Sequence, residues 1–273
     1  MLFRSLSEHN WLEELAIKIF DDVAEITKDA KGVSRETYGE GETKAINYFI
    51  TLAKEFGFHV EVDPAANVFF SLKPIKNTKY ILTGSHLDSV PMGGNFDGLA
   101  GVTAGFLILI YITKNKINLN VPLKVLALRG EESAWYGRNY IGSKCIFGLL
   151  TDDDLNSKHR TKDKTLLTAM KECGVKIEKI RSSQCLIDKQ NIEVFIELHI
   201  EQGPLLEQQD TLIGIVVGTQ HMSRHKLIIF GQEAHAGTTP MSMRRDPVRA
   251  LSAMLPKRSE EHTSELQSPM YLV

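Results

Sequence analysis

The sequence predicts an α/β protein organised on a mostly parallel sheet, and three observations carry that prediction. Helix-like and strand-like hydrophobic periods alternate along the chain, the pattern of βαβ units. Polar clusters rich in His, Asp and Glu stand directly after the strand-like runs, which is where open α/β sheets bind ligands. The most apolar stretch, residues 99–112, holds small residues and is too short to span a bilayer, so it reads as a buried core helix.

The elements follow in order. Residues 11–27 set Leu12, Leu15, Ile19, Val23 and Ile26 on one stripe of a helix. Residues 43–56 read as a second helix, ended by Gly57. Residues 60–62 and 68–72 are strands around a turn at Pro64, and residues 79–83 form a short strand that enters a polar loop. After the buried helix comes a strand at 123–128, followed at once by Arg129-Gly130-Glu131-Glu132, and then a strand at 192–198 followed by His199. The character changes near Thr211: residues 212–217 and 226–230 are β-rich, residues 237–240 make a Gly/Thr/Pro turn, and residues 246–255 begin a helix. The expected division is a catalytic α/β domain over 1–218 and the start of a smaller α/β domain over 219–257. Residues 258–273 are polar and aperiodic and are expected to be a non-native tail.

Bulk composition narrows the function. Lys and Arg number 32 against 34 Asp and Glu, so there is no general pull on nucleic acid or on an anionic membrane. Cys145, Cys173 and Cys185 are odd in number and form no CxxC pair, which argues against a disulfide framework and against a cysteine zinc site. Reduced thiols in a cytoplasmic protein are the simplest reading. Residues 1–20 are amphipathic, interrupted by Glu8, Glu13 and Glu14, and do not read as a signal peptide.

Four clusters carry chemistry: 83–90 with His86 and Asp88, 93–98 with Asp97, 129–133 with Glu131 and Glu132, and 197–203 with His199 and Gln202. Imidazole and carboxylate together are the ligand set of zinc, manganese or cobalt, and one carboxylate can bridge two ions. His86 and Asp97 are close enough in sequence for a turn to bring them to one centre. Asp88 is placed to orient the His86 ring. Adjacent glutamates diverge, so one of Glu131 and Glu132 can bind metal while the other faces water. The HExxH signature of helix-borne metalloproteases is absent. His9, His59 and His159 stand outside the clusters and read as surface, as do the basic residues Arg224, Arg244 and Arg245 with His221 and His225. Cys145 reads as a buried thiol. Trp135 and Tyr136 are either pocket wall or core.

His86-x-Asp88, Gly94-x-x-Asp97-Gly98, Glu131-Glu132, the run from His199 to Gly203 and the run from Ala234 to Met241 occur in that order. Together they resemble the hydantoinase/carbamoylase amidases, which include N-carbamoyl-L-amino-acid hydrolases, β-ureidopropionases and allantoate amidohydrolases. The likeness covers about residues 3–256. It implies a di-metal site, with zinc first and manganese or cobalt as alternatives, in which Asp97 bridges two ions, His86 and His199 complete one site and Glu132 binds the other. It further implies Glu131 as general base, Asp88 in support, and Gln202 as a substrate contact. His235 would lie in a lid and dimerisation domain and reach the partner subunit's site to stabilise the oxyanion. The activity implied is hydrolysis of a C–N bond of an N-carbamoyl amino acid or related ureide through a metal-bound hydroxide, in a homodimer acting on a small molecule. Where the family usually has Gly then Ser-Arg-Phe after the glutamate pair, this chain reads Ser133-Ala134-Trp135-Tyr136. The resemblance also leaves the rest of the lid, a substrate-carboxylate arginine and a last metal histidine beyond the chain. The alternatives are an aminoacylase or aminopeptidase built on the same core, and an inactive metal-binding fragment.

Overall fold

The computed structural model describes residues 10–181, 184–218 and 227–259. They fall into two compact units divided between Gln209 and Asp210. His9, His221, Arg224 and His225 lie outside the described residues, as does most of the stretch set aside as a tail.

The first unit begins with α1 (Asn10–Thr27), a small hairpin of β1 (Lys28–Asp29) and β2 (Gly32–Val33), and α2 (Glu40–Glu55). Then come β3 (His59–Val62), β4 (Val68–Ser71), β5 (Tyr80–His86), α3 (Leu99–Lys114) and β6 (Leu123–Leu128). Four short helices follow, α4 (Ile141–Ile146), α5 (Asp152–Leu155), α6 (Leu166–Glu172) and α7 (Ile177–Ile180), before β7 (Ile192–Ile196) and α8 (Leu205–Gln208). The main sheet has the order β3-β4-β6-β5-β7. β5 is parallel to both β6 and β7, and β4 is antiparallel to both β3 and β6. Four strands therefore share one direction and only β4 is reversed, in keeping with the mostly parallel sheet expected.

Side chains alternate across each strand, and the core divides accordingly. Val68 and Phe70 of β4 and Leu123, Val125 and Ala127 of β6 pack with Ile19, Phe49, Val102 and Phe106 of α1, α2 and α3. Phe69 and Leu126, one residue out of step, face the other way and pack with Tyr80, Leu82 and Ile146 of α4. The helices thus cover both faces, which accounts for the low polarity of the central strands. Each fully buried Phe or Leu contributes roughly 1.5–3 kcal/mol by its removal from water.

The order of strands positions the site. From β5 the chain crosses through α3 to β6 on one side, and from β6 it returns through α4–α7 to β7 on the other. The carboxyl end of β5 is therefore a switch point, where the two connections diverge and leave a crevice. His86 is the last residue of β5; Glu131 and Glu132 lie just beyond β6, and His199 just beyond β7.

The second unit holds a 3-10 turn at Met241–Met243 and α9 (Pro247–Ser259). Asp246 caps α9: its Oδ1 accepts the Val248 N–H at 2.9 Å. Among the described residues of 212–217 and 227–230 there is no strand, contrary to the sequence expectation. β-propensity makes a strand only where a neighbour completes the ladder. The helix expected over 246–255 forms and reaches Ser259, two residues into the stretch set aside.

Candidate active site

His86 is almost fully buried at the end of β5. Its Nδ1 lies 3.0 Å from the backbone oxygen of Asp88 and 3.3 Å from Asp88 Oδ1. His199 Nδ1 lies 2.9 Å from the backbone oxygen of Ile200. Carbonyl oxygens only accept, so each Nδ1 carries a proton, and it is Nε2 that presents a lone pair whenever the ring is neutral. Both Nε2 atoms face Asp97 Oδ1, at 3.4 Å from His86 and 3.3 Å from His199. The two rings stack with centroids 5.9 Å apart. Protons on the two Nε2 atoms let them donate to Asp97 Oδ1; once those protons leave, the same three atoms, all within 4.8 Å, offer their lone pairs to one cation. This donor set fits a divalent metal ion, because the backbone has already fixed the tautomer that ligation needs.

The titration tendencies report the same excess of negative charge. Burial works against a charged His86 ring, but hydrogen bonds to Asp88 and Asp97 outweigh it and hold its pKa well above the ordinary value. The hydrogen bond to Asp97 raises His199, against a smaller effect of burial. Asp97 in turn is held well below the usual carboxylate range by His199 and His86. Burial, reinforced by Glu131 and Asp88, pushes the Glu132 carboxyl up to about 7. Burial also raises Glu131, whose Oε2 lies 4.0 Å from His86 Nε2.

Asp88 ties these parts together. It is fully buried; its Oδ1 accepts the Glu131 N–H at 3.0 Å, and its Oδ2 accepts the Glu132 N–H at 3.0 Å and the Thr37 hydroxyl at 2.6 Å. The His86 loop and the glutamate loop are thus one hydrogen-bonded body. Gly98 permits the approach of Asp97. It has φ +64°, and a Cβ there would stand 2.4 Å from His86 O and 2.6 Å from the His86 ring. On the open side, Gln202 Nε2 donates to Asp97 Oδ2 at 2.6 Å.

The structure therefore brings His86, Asp88, Asp97, Glu131, Glu132, His199 and Gln202 together in the first unit. His235 belongs to the second unit, where it is exposed. Its Nδ1 accepts the N–H groups of Gly237 and Thr238 at 3.1 and 3.2 Å, so the ring proton sits on Nε2.

Sequence reasoning missed the supports. Arg35 is wholly buried and donates to Leu87 O at 2.6 Å and to Asn95 Oδ1, Asn95 O and Asp97 O at 3.2 Å each, which pins the Asp97 loop. Burial lowers its pKa to about 10, so it stays charged. Glu42, also buried, accepts from Gly130 N at 2.8 Å and from Arg129 Nε at 2.6 Å, just ahead of the glutamate pair. Arg35 sits in a polar stretch, Ser34-Arg35-Glu36-Thr37, that carries no signal of burial. Glu42 lies on α2 among other acidic residues, where a solvated face is the usual reading.

His159 is not a surface residue, as the sequence suggested, but is buried with its Nε2 3.2 Å from Glu36 Oε1. The loop 157–166 folds back on itself, and the backbone N–H groups of Thr161 and Lys162 reach His159 Nδ1 at 3.1 Å each. Tyr136 is core. Trp135 donates to Ser89 O at 2.7 Å and walls a cavity of about 330 Å³ with Pro91, Met92, Ala134 and His159. Among the described residues no helix is long and apolar enough to cross a membrane.

Comparison with known proteins places this geometry in a family. Peptidase family M20/M25/M40 matches residues 82–269. The chain is 33% identical over 242 residues to the N-carbamoyl-L-amino acid amidohydrolase of Geobacillus stearothermophilus, covering 88% of this chain and 58% of that relative. It is 33% identical over 250 residues to the allantoate amidohydrolase of Escherichia coli K12, covering 89% and 58%. A crystal structure of a hydantoinase/carbamoylase family amidase from Burkholderia ambifaria matches with TM-score 0.73 at 30% identity, covering 90% of this chain and 60% of that one. The chain spans somewhat less than two thirds of the length of each of these relatives. On the family match, the sheet and the ordered relatives together, the chain belongs to peptidase family M20/M25/M40 and resembles, within it, the hydantoinase/carbamoylase amidases.

Proposed function

We propose that this chain carries the catalytic centre of a metal-dependent amidohydrolase that cleaves a C–N bond of an N-carbamoyl amino acid or a related ureide. The observation that supports this best is the convergence of His86 Nε2 and His199 Nε2 on one oxygen of Asp97, beside the paired Glu131 and Glu132. His86, His199 and Asp97 would hold one divalent ion, and Asp97 with Glu132 a second, with zinc favoured over manganese or cobalt. Such ions, when bound, supply Lewis-acid polarisation and acidify water. The names of the relatives, amidohydrolases of N-carbamoyl-L-amino acids and of allantoate, point to the substrate class.

The roles of the chain's own residues follow from position. Glu131 is part-buried with its carboxyl raised above the ordinary range, which suits a group that takes a proton from water and returns it to the leaving nitrogen. Asp88 positions both the His86 ring and the backbone of Glu131. Gln202 offers an amide beside Asp97 for substrate contact. His235, with its proton on Nε2, is a suitable donor to an oxyanion, and in a homodimer it would serve the partner's site. The lid and dimer roles belong to the smaller domain.

The test is Glu131→Gln. Bound metal should be retained while turnover of an N-carbamoyl amino acid falls by about 10²–10⁴-fold. Unchanged turnover would remove Glu131 from this role. Parallel assays with N-acetyl amino acids and dipeptides separate a carbamoylase from an aminoacylase or aminopeptidase.

A further inference from the structure

The two oxygens of Asp97 keep different company. Oδ1 faces His86 Nε2 and His199 Nε2 at 3.4 and 3.3 Å. Oδ2 accepts a 2.6 Å hydrogen bond from Gln202 Nε2. An ionised carboxylate has no proton to give, so it is the NH₂ side of the amide that stands there. The backbone at Gln202 is left-handed, with φ +56°, an uncommon conformation for a residue with a Cβ. The turn is fixed from its other side by Glu201, whose carboxylate accepts the N–H groups of Leu205 and Leu206 at 3.0 Å each. A strained residue is held between α8 and Asp97, and its amide lies on the one Asp97 oxygen that the two imidazoles leave open.

We propose that Gln202 occupies this outer oxygen as a placeholder and must leave before a second cation can bind there. The centre then loads in a set order, first between His86, His199 and Oδ1, and afterwards at Oδ2. This inference rests on the two-ion reading given under Proposed function. A hydrogen bond to an ionised acceptor is worth about tenfold or more in an equilibrium constant. That factor weakens any cation that competes for Oδ2 and leaves untouched one that uses Oδ1. Once displaced, the same amide is released toward the open side of the site, where a substrate would lie.

The experiment titrates the metal-free protein with Co²⁺, read by calorimetry and by visible absorption, for the wild type, Gln202→Met and Gln202→Gly. Methionine keeps the length of the side chain without the amide, and glycine removes the amide and relieves the left-handed backbone. The expected result is two binding steps, with the second strengthened about tenfold or more in both variants and the first unchanged. A second step that is equally weak in all three proteins overturns the proposal. So does a change confined to the first step. If no form binds Co²⁺, or all three bind it in a single step, while circular dichroism shows the fold intact, the two-ion reading itself fails and this inference falls with it.

Discussion

The side chain of Asp88 holds the backbone of Glu131: Oδ1 of the first, which is fully buried, accepts the N–H of the second, which is part-buried, at 3.0 Å. Oδ2 does the same for Glu132. In Asp88→Asn one oxygen becomes an NH₂ group, and whichever way the amide turns, one of these two N–H groups loses its acceptor. Stability should fall by about 1–3 kcal/mol for the donor left unpaired. Metal affinity should fall toward the low end of about 10–100-fold, since the His86 ring keeps the backbone oxygen of Asp88 at 3.0 Å and loses only the charge of the carboxylate at 3.3 Å. Urea denaturation checks the first, and competition with a chelator the second.

Gly98→Ala is expected to disturb the site more than its size suggests. Its Cβ would meet His86 O at 2.4 Å, and the residue has a positive φ. The expected loss is about 1–3 kcal/mol of stability, together with loss of tight metal binding, because Asp97 is pushed from His86. A variant that keeps wild-type metal affinity would show that the loop relaxes without moving Asp97.

Asp63 should leave a mark on stability as a function of pH. Burial raises its carboxyl from 3.8 to about 6, against the hydrogen bonds from Asn67 and Ala65. The folded form then holds this proton more tightly than the unfolded chain. Its contribution is therefore full below about pH 4 and is lost as pH rises through about 6. Asp63→Asn should flatten the stability curve over that window, whatever its overall stability, as read by chemical denaturation at a series of pH values.

Thiol labelling should sort the cysteines. Cys145 is fully buried, and burial pushes its thiol up to about 12. Cys185 is exposed. At about pH 8 a maleimide should modify Cys185 in the native protein and spare Cys145 until the chain is unfolded. Mass mapping of the labelled peptides checks this.

Much of the frame is legible in the sequence because periodicity and length carry it. β6 is found at the residues expected, and α1 and α3 begin within a residue of expectation and end within two. The meeting of His86, Asp97 and His199 is legible because His86 ends one strand of a parallel set, Asp97 lies on the loop after it, and His199 follows another strand of the same set. What the sequence conceals are contacts made across distance. Arg35 and Glu42 look like ordinary surface charges until the loops they brace are folded over them. His159 needs Glu36, more than a hundred residues away in the chain, to be buried. The β-rich runs at 212–217 and 226–230 carry a strand's composition, but composition provides no neighbour for the ladder.

Among the described residues β7 is the last strand of its sheet and pairs with β5 alone, and Val194, Phe195 and Ile196 on it are 42%, 46% and 57% exposed. An outer flank with open peptide groups and greasy side chains is a template on which any extended chain can crystallise an added strand. Among the described residues this rim, which ends three residues before His199, is therefore where a stray extended segment would find both unpaired peptide groups and apolar side chains.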